Sequence, residues 1–268
     1  MRTFERISLV LHESRPGAQQ VAERVIAGAT ARGLEVLSSE EPPPAGTDLI
    51  IGIGGDGTLL SAASHALAAG APVVGINLGN VGYLAEVEPD DIEHMLDGLV
   101  DGTLEVKERM TVRAELDDGR SWQGINDIVV EKVMSQRLIQ LGVHINGQFF
   151  TTYRSDGIIV ATPLGSTAYS LSAGGPVIDP NLGALILTPV APHSLLSRSI
   201  VLAPDASVMC RVELDRQVRL NVDGRNATVL DPGSEVTITR GSESIEFLSL
   251  ARRPFPQTVR YQFGLDHA

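Results

Sequence analysis

The stretch that most constrains this chain is Leu49–Leu60, Leu-Ile-Ile-Gly-Ile-Gly-Gly-Asp-Gly-Thr-Leu-Leu. The apolar run over Asp48–Ile53 suits a strand covered on both faces. Gly54, Gly55 and Gly57 permit positive φ and let backbone N–H groups approach a ligand closely. Thr58–Ala69 then has helical composition. A glycine turn entering a helix N-terminus is a ready anion site, because the first N–H groups lack intrahelical partners and the dipole favours negative charge. Asp56 is the odd residue in such a cradle. A carboxylate repels phosphate there unless it accepts a proton or holds a metal.

The 268 residues suit one large domain or two smaller ones, and 43% apolar with only 4% aromatic content predicts an aliphatic core. The net charge of −12 argues against non-specific binding to nucleic acid or anionic membrane, which needs basic surface. The single cysteine, Cys210, excludes an intrachain disulfide and any multi-cysteine metal site. It reads as a small buried hydrophobe beside Val208 and Val212, consistent with a reducing cytoplasm. Ile7–Leu11 is too short for a signal peptide and reads as a first strand. The uncharged stretches Gly57–Ala85 and Gly157–Ile178 are broken by Gly, Pro and polar residues, so neither reads as a membrane span.

Along the chain come a strand at Arg6–His12, a helix over Gly17–Arg32 stopped by Gly33, and a strand at Leu34–Leu37. Glu40–Gly46, with three prolines, reads as a surface loop. The opening strand and helix follow. A fourth strand, Pro72–Ile76, runs into Asn77-Leu-Gly-Asn-Val-Gly-Tyr83, and Asp90–Leu99 reads as a helix. This alternation predicts a parallel sheet with crossover helices, whose ligands sit beyond the carboxyl ends of the strands. Both glycine turns lie at that edge. Near Leu104 the pattern turns to β. Met110–Leu116 and Ser121–Val133 flank Asp117-Asp118-Gly119, and Leu138–Ile145 and Phe149–Arg154 flank Asn146-Gly147, two hairpin signals. Gly157–Ala161 reads as a buried strand, and several short strands run from Ser199 to Leu250, the last over Glu243–Leu250. The expected architecture is an α/β domain with a parallel sheet over residues 1–104, completed by the tail 251–268. A mainly antiparallel all-β domain over residues 105–250 follows it.

Gly52-Ile-Gly54-Gly-Asp-Gly57 formally satisfies the dinucleotide fingerprint G-x-G-x-x-G. It follows the third strand rather than the first, no acidic residue ends a strand about twenty residues on, and Asp56 is unexplained by it. No phosphate-loop lysine motif occurs either. Arg154–Pro176 forms a second constellation, dense in hydroxyls and glycines. Ser166, Thr167, Ser170 and Ser172 offer short polar partners, Tyr169 a ring face, and Arg154 and Asp156 one charge of each sign. Such a segment suits a nucleoside, since purine edges and ribose hydroxyls need several small polar partners, with an ordinary Ser/Gly loop as the alternative. Asn126-Asp127 interrupts an apolar strand. The pair is either a bulge or a reader of an adenine edge and ribose hydroxyls. His193 reads as structural, and Asp223-Gly224 as a hairpin turn.

Together these residues carry a specific resemblance. Gly54-Gly-Asp-Gly-Thr58, Asn77-Leu-Gly-x-x-Gly-Tyr-Leu84, Asn126-Asp127, Arg154-Ser-Asp-Gly157, Thr162-Pro-x-Gly-Ser-Thr-Ala-Tyr-Ser-Leu-Ser-Ala-Gly-Gly-Pro176, Pro192-His-Ser194 and Val222-Asp-Gly224 occur in the order found in bacterial NAD kinases, so the chain resembles that family from its first strand to about Leu250. The first motif alone is shared with lipid kinases and, in related form, with a sugar-phosphate kinase. A lipid or sugar kinase, or a dinucleotide sensor without catalysis, is the alternative.

The resemblance implies ATP-dependent phosphorylation of the 2′-hydroxyl of the adenosine ribose of NAD, giving NADP. It implies that Asp56 takes the hydroxyl proton and that Gly54, Gly55, Gly57 and Thr58 hold phosphate. It places Asn126, Asp127, Thr167, Ala168, Tyr169 and Tyr83 around the NAD adenosine. Arg154, Asp156, Ser170, Leu171, Ser172, Ala191 and Arg225 line the rest. It further implies Mg²⁺ bound with the phosphoryl donor, ATP or polyphosphate as that donor, and a cytoplasmic homodimer or homotetramer whose neighbouring subunits share the site. The chain departs from the family pattern in places. Asp127 stands for the commoner Glu, Leu164 for Thr or Ser, Tyr83 for Phe, Arg225 for Gln, and Asn80 for a basic residue.

Overall fold

The computed structural model describes residues 4–12, 15–37, 43–79, 82–134, 137–213, 216–251 and 253–265. Asn80 and the first part of the Glu40–Gly46 loop lie outside the described residues. The chain divides into two compact units, residues 1–108 with 245–268, and residues 109–244.

The first unit contains strands β1 (Arg6–Leu11), β2 (Glu35–Val36), β3 (Leu49–Gly54), β4 (Val73–Asn77) and β5 (Glu105–Arg109), with helices α1 (Ala18–Ala31), α2 (Asp56–Ala69) and α3 (Ile92–Asp101). Strands β2, β1, β3 and β4 are adjacent and parallel in that order, as the alternating pattern predicts. Every residue of β3 and β4 is buried. Alternate residues face opposite sides of the sheet. Leu49, Ile51, Ile53, Val74 and Ile76 share a core with Val21 and Val25 of α1 and with Met95, Leu96 and Leu99 of α3. The opposite face meets α2. A Cβ on Gly75 would overlap Leu59, and one on Gly52 would stand 3.0 Å from the Ala62 Cβ. Glycine at these two positions therefore lets α2 lie close against the sheet, which fixes where its first turn sits.

The second unit holds two six-stranded sheets. One runs β10 (Gln148–Ser155), β9 (Ile139–Ile145), β14 (Val208–Glu213), β17 (Glu235–Arg240), β6 (Val112–Leu116), β7 (Ser121–Gly124). The other runs β13 (Ile200–Leu202), β12 (Leu185–Val190), β11 (Gly157–Ala161), β8 (Asp127–Lys132), β15 (Val218–Val222), β16 (Arg225–Leu230). Neighbours in both sheets are antiparallel. Side chains from both sheets form one aliphatic core, with Val112, Leu141, Val143, Cys210 and Val236 from the first and Val130, Ile158, Val160, Leu187 and Leu220 from the second. Cys210 is fully buried there, and burial pushes its thiol up to about 12. Ile159, Ala161, Val129 and Ile186 face the other way and pack on Ile178, so β11 is covered on both sides. That explains its uninterrupted apolar run.

Two strands differ from the sequence expectation. Ser121–Val133 is not one strand: it breaks after Gly124, and β7 and β8 belong to different sheets. The last strand, β18 (Ile245–Ser249), is expected with the antiparallel half. Instead it enters the first unit's sheet between β4 and β5 and pairs parallel with β4, Phe247 opposite Val73. Among the described residues no helix is long and apolar enough to cross a membrane.

Candidate active site

In the first unit α2 starts at Asp56, two residues earlier than composition suggests, with Gly55 as its N-cap. A carboxylate in the first helical turn is favoured by the helix dipole. Its oxygens have further partners. Oδ2 accepts the Tyr83 backbone N–H at 2.8 Å, while Oδ1 accepts those of Leu84 at 3.1 Å and Ala85 at 3.4 Å. Asp56 thus ties the turn after β3 to the turn after β4, and a Cβ on Gly82 would collide with its carboxylate. The Tyr83 phenol is raised above its ordinary value, first by burial and second by the Asp56 charge.

Positive φ at the first glycine turn is not what the structure uses: Gly54, Gly55 and Gly57 all lie outside the left-handed region. Gly54 is glycine because a Cβ would run into the Thr58 side chain, whereas Gly57 faces open space. The first intrahelical bond runs from the Leu59 N–H to the Gly55 carbonyl at 3.0 Å. The amides of Asp56, Gly57 and Thr58 precede it, which leaves an anion-attracting end.

The sequence reading missed a cation here. Arg15, in the connection between β1 and α1, lays its guanidinium over both glycine turns. A Cβ on Gly55 would stand 2.8 Å from one of its nitrogens, and one on Gly79 would overlap the other. The available signal was a basic residue just beyond the carboxyl end of a parallel strand, the edge where such sheets bind ligands.

In the second unit the break between β7 and β8 falls on Ile125-Asn126. The Asp223 carboxylate accepts the backbone N–H groups of Ile125 at 2.8 Å, Asn126 at 2.7 Å and Asp127 at 3.1 Å. From the other side the Thr162 N–H donates to the Asn126 carbonyl at 2.9 Å, and the Thr162 hydroxyl donates to the Ile125 carbonyl at 2.7 Å. Gly165 packs so closely on the Asn126 backbone that a Cβ would overlap its carbonyl. Asp223-Gly224 forms the expected β15–β16 hairpin turn, with φ of 49° and 75°, and in addition holds this corner. The Asn126 Oδ1 is buried with no hydrogen-bond partner among the described residues, and Asp127 is only 4% exposed. Burial, and second the Asp223 charge, push the Asp127 carboxyl up to about 7. Asp223 is also raised by burial, against the pull of its three amides and of Arg225. A buried amide oxygen without a partner among the described residues, next in sequence to a buried carboxyl, is poised to take N–H and O–H donors from a ligand.

Tyr169 and Ser172 are exposed ends of the single-turn helix α4 (Tyr169–Ser172), while Thr167, Ala168 and Leu171 are half-buried. The Tyr169 phenol is raised by burial, then by the charges of Glu131, Asp156 and Asp127, so the ring stands among these carboxylates. Ser170 is placed differently from its expected role. It is fully buried, and its hydroxyl bonds the Thr188 hydroxyl at 2.9 Å, so that hydroxyl serves the fold. Ser166 is likewise internal, accepting the Ile178 N–H at 3.1 Å. Asp156 pairs with Lys132, a residue the sequence reading did not single out. The carbonyl of Arg154 accepts the His193 N–H at 2.7 Å, and Arg225 is exposed at the start of β16. Ala191 has a φ of 45°, a left-handed conformation that costs an alanine on the order of 1–2 kcal/mol. Such outliers cluster at ligand sites.

The comparisons with known proteins agree across both units. Residues 13–104 match the family model described as the ATP-NAD kinase N-terminal domain, and residues 125–250 match that of the ATP-NAD kinase C-terminal domain. The chain is 35% identical to an NAD kinase of Desulforamulus reducens, over 97% of this chain and 99% of that protein. It is 36% identical to NAD kinase 2 of Streptomyces avermitilis, over 98% of this chain and 95% of that protein. Among solved structures, a yeast NADH kinase complexed with NADH superposes with a TM-score of 0.90 at 23% identity, covering 100% of this chain and 90% of that one. An NAD kinase from Archaeoglobus fulgidus in complex with ATP superposes with a TM-score of 0.80 at 26% identity, covering 96% and 98%.

Proposed function

The chain belongs to the ATP-NAD kinase family, and from that premise we propose that it transfers the terminal phosphate of ATP to the 2′-hydroxyl of the adenosine ribose of NAD, giving NADP. The observation that carries the reading is the family match in both units together with Asp56, held by three backbone amides at the head of α2. A ribose hydroxyl is a poor nucleophile, and a positioned carboxylate supplies general-base help of roughly 10²–10⁴-fold. In this reading Asp56 accepts that proton as the oxygen attacks phosphorus. The amides of Gly57 and Thr58 bind phosphate oxygens and orient them, because alignment and charge neutralisation dominate phosphoryl transfer. Asn126 and Asp127 take donors from the adenine edge and ribose, and Tyr169 offers a ring face to a base. Thr167, Ala168, Tyr83, Arg154, Asp156, Leu171, Ser172, Ala191 and Arg225 complete the proposed contacts, while the fully buried Ser170 anchors the motif on Thr188.

Among the described residues no group of three or more His, Cys, Asp or Glu is arranged to hold a metal ion. We propose that Mg²⁺ arrives on the donor's phosphates, the usual mode for a cation that keeps its waters and needs only one or two carboxylates. When bound, the ion would neutralise charge on the transferring phosphoryl group. We place the reaction in the cytoplasm, carried out by a homodimer or homotetramer, with ATP or polyphosphate as donor. Incubation with ATP, NAD and Mg²⁺ is expected to yield NADP, read by an NADP-specific dehydrogenase. No product under these conditions would overturn the proposal.

A further inference from the structure

We infer that Glu86 is a positioning residue for the reaction: held by Lys107 and Ser249, it fixes the strap of backbone whose amides hold Asp56. The inference rests on the kinase reading above, in which Asp56 takes the ribose proton, and names the groups that keep it in place.

The strap is the stretch Tyr83–Val87, which leaves the second glycine turn and lies outside every helix and strand of the unit. Backbone without a ladder keeps its place through individual contacts. Tyr83, Leu84 and Ala85 give their N–H groups to the Asp56 carboxylate. Val87 is tied to β4, its carbonyl accepting the Asn77 N–H at 2.7 Å and its N–H donating to the Gly75 carbonyl at 3.1 Å. Between them Glu86 reaches two other strands. Lys107 of β5 donates to its Oε1 at 2.8 Å, and the Ser249 hydroxyl, at the end of β18, donates to its Oε2. With both oxygens used, the carboxylate cannot turn without breaking a charge-assisted bond. The Lys107 side chain is 19% exposed and that of Glu86 27%, so water screens this pair less than it screens a surface ion pair.

Ser249 is committed on both sides. Its hydroxyl proton goes to Glu86, and its oxygen accepts the Ala251 N–H at 2.9 Å. Ala251 has a φ of 56°, a left-handed conformation that alanine rarely adopts. Backbone outliers persist where their surroundings over-determine them, and they gather where geometry matters. The consequence falls on Asp56. A base must meet its proton within hydrogen-bond reach, and a misplacement of about 1 Å can cost on the order of 10²-fold. Whatever shifts Tyr83–Ala85 turns the carboxylate those amides hold.

The test uses the intact enzyme with Glu86→Gln, Lys107→Met and Ser249→Ala, and with Ser249→Thr as the variant that keeps the hydroxyl. Each is made alone and together with Asp56→Asn. Thermal unfolding checks folding, and three routes to one carboxylate mean that a variant that fails to fold leaves others to decide. Each single variant is expected to lower kcat about tenfold while KM for ATP and for NAD moves less than about threefold, and Ser249→Thr should retain most of the rate. On top of Asp56→Asn the same changes should lower kcat less than about twofold, because residues that act through one group are not additive. Losses of equal size in both backgrounds, or unchanged kcat in the single variants, overturn the inference. Hydrogen exchange separates it from the kinase reading. The variants should speed exchange of the Leu84 and Ala85 amides about tenfold or more while β3 amides keep their rate, whether or not the protein makes NADP. NADP formation with unchanged exchange at those amides in every variant removes the positioning role alone. Faster exchange in a protein that makes no NADP removes the kinase reading alone.

Discussion

Asp56 does two things with one carboxylate. It accepts three backbone amides that fix Tyr83–Ala85, and it is the residue proposed to take the ribose proton. Asp56→Asn replaces one oxygen with an N–H₂ group, which faces amide donors instead of accepting from them. We expect at least about a 10²-fold loss in kcat, accompanied by about 1–3 kcal/mol of lost stability from the unpaired amides. Calorimetric NAD binding near the wild-type value would separate the two effects. Near-normal turnover would remove Asp56 as the base. Asp127 raises a pH question at the same scale. Its ordinary carboxyl value is near 3.8 and its native value about 7, so between these the folded state holds the proton and the unfolded state does not. Its contribution to stability is therefore present below about pH 4, and is lost as pH rises through 7, at up to about 1.4 kcal/mol per pH unit. Asp127→Asn should flatten that decline in denaturant titrations run from pH 5 to 8. Because ribose hydroxyls need the ionised acceptor, KM for NAD should fall as pH rises through 7 in the wild type and stay level in the variant.

Between elements, the corner joining β7 to β8 is the most tightly determined feature of the second unit. Asp223 holds it from the β15–β16 turn, Thr162 from the end of β11, and Gly165 leaves room for its carbonyl. Gly165→Ala should cost about 1–3 kcal/mol through overpacking and raise KM for NAD, because Asn126 and Asp127 shift with their backbone. An unchanged melting temperature would show that the corner yields. The corner also marks where sequence stops being informative. Asp117-Asp118-Gly119, Asn146-Gly147 and Asp223-Gly224 were legible as turns, because a hairpin's geometry is set by the residues inside it. The exit from one sheet into the other at Ile125-Asn126 was not, since partners 36 to 98 residues away decide it. Ser170 and Arg15 show the same limit in opposite directions. A hydroxyl in a nucleoside-like motif turned inward to Thr188, and a cation in no motif reached both glycine turns.

For the whole molecule, chain order and fold order differ. The first unit's sheet stays incomplete until residues 245–249 are made, because β18 is not an edge strand but lies between β4 and β5. Phe247 and Leu248 are nearly buried there, and Ser249 bonds Glu86, which also receives Lys107 at 2.8 Å. The antiparallel half is thus an insertion into the α/β unit, and the alternation of strands and helices in the first hundred residues could not reveal the missing strand. A chain ending at Ser244 should leave β4 with an unpaired, apolar edge, the arrangement that drives aggregation. Hydrogen exchange should then find the β3 and β4 amides unprotected while the amides of β9, β11 and β14, whose side chains share the second unit's own core, keep their protection. A chain ending at Ala251 keeps β18 and loses residues 252–268, the tail helix included. It should protect β3 and β4 as the full chain does. Loss of β4 protection in both truncations would instead assign the sheet's stability to the helix α5 (Phe255–Gln262) rather than to β18.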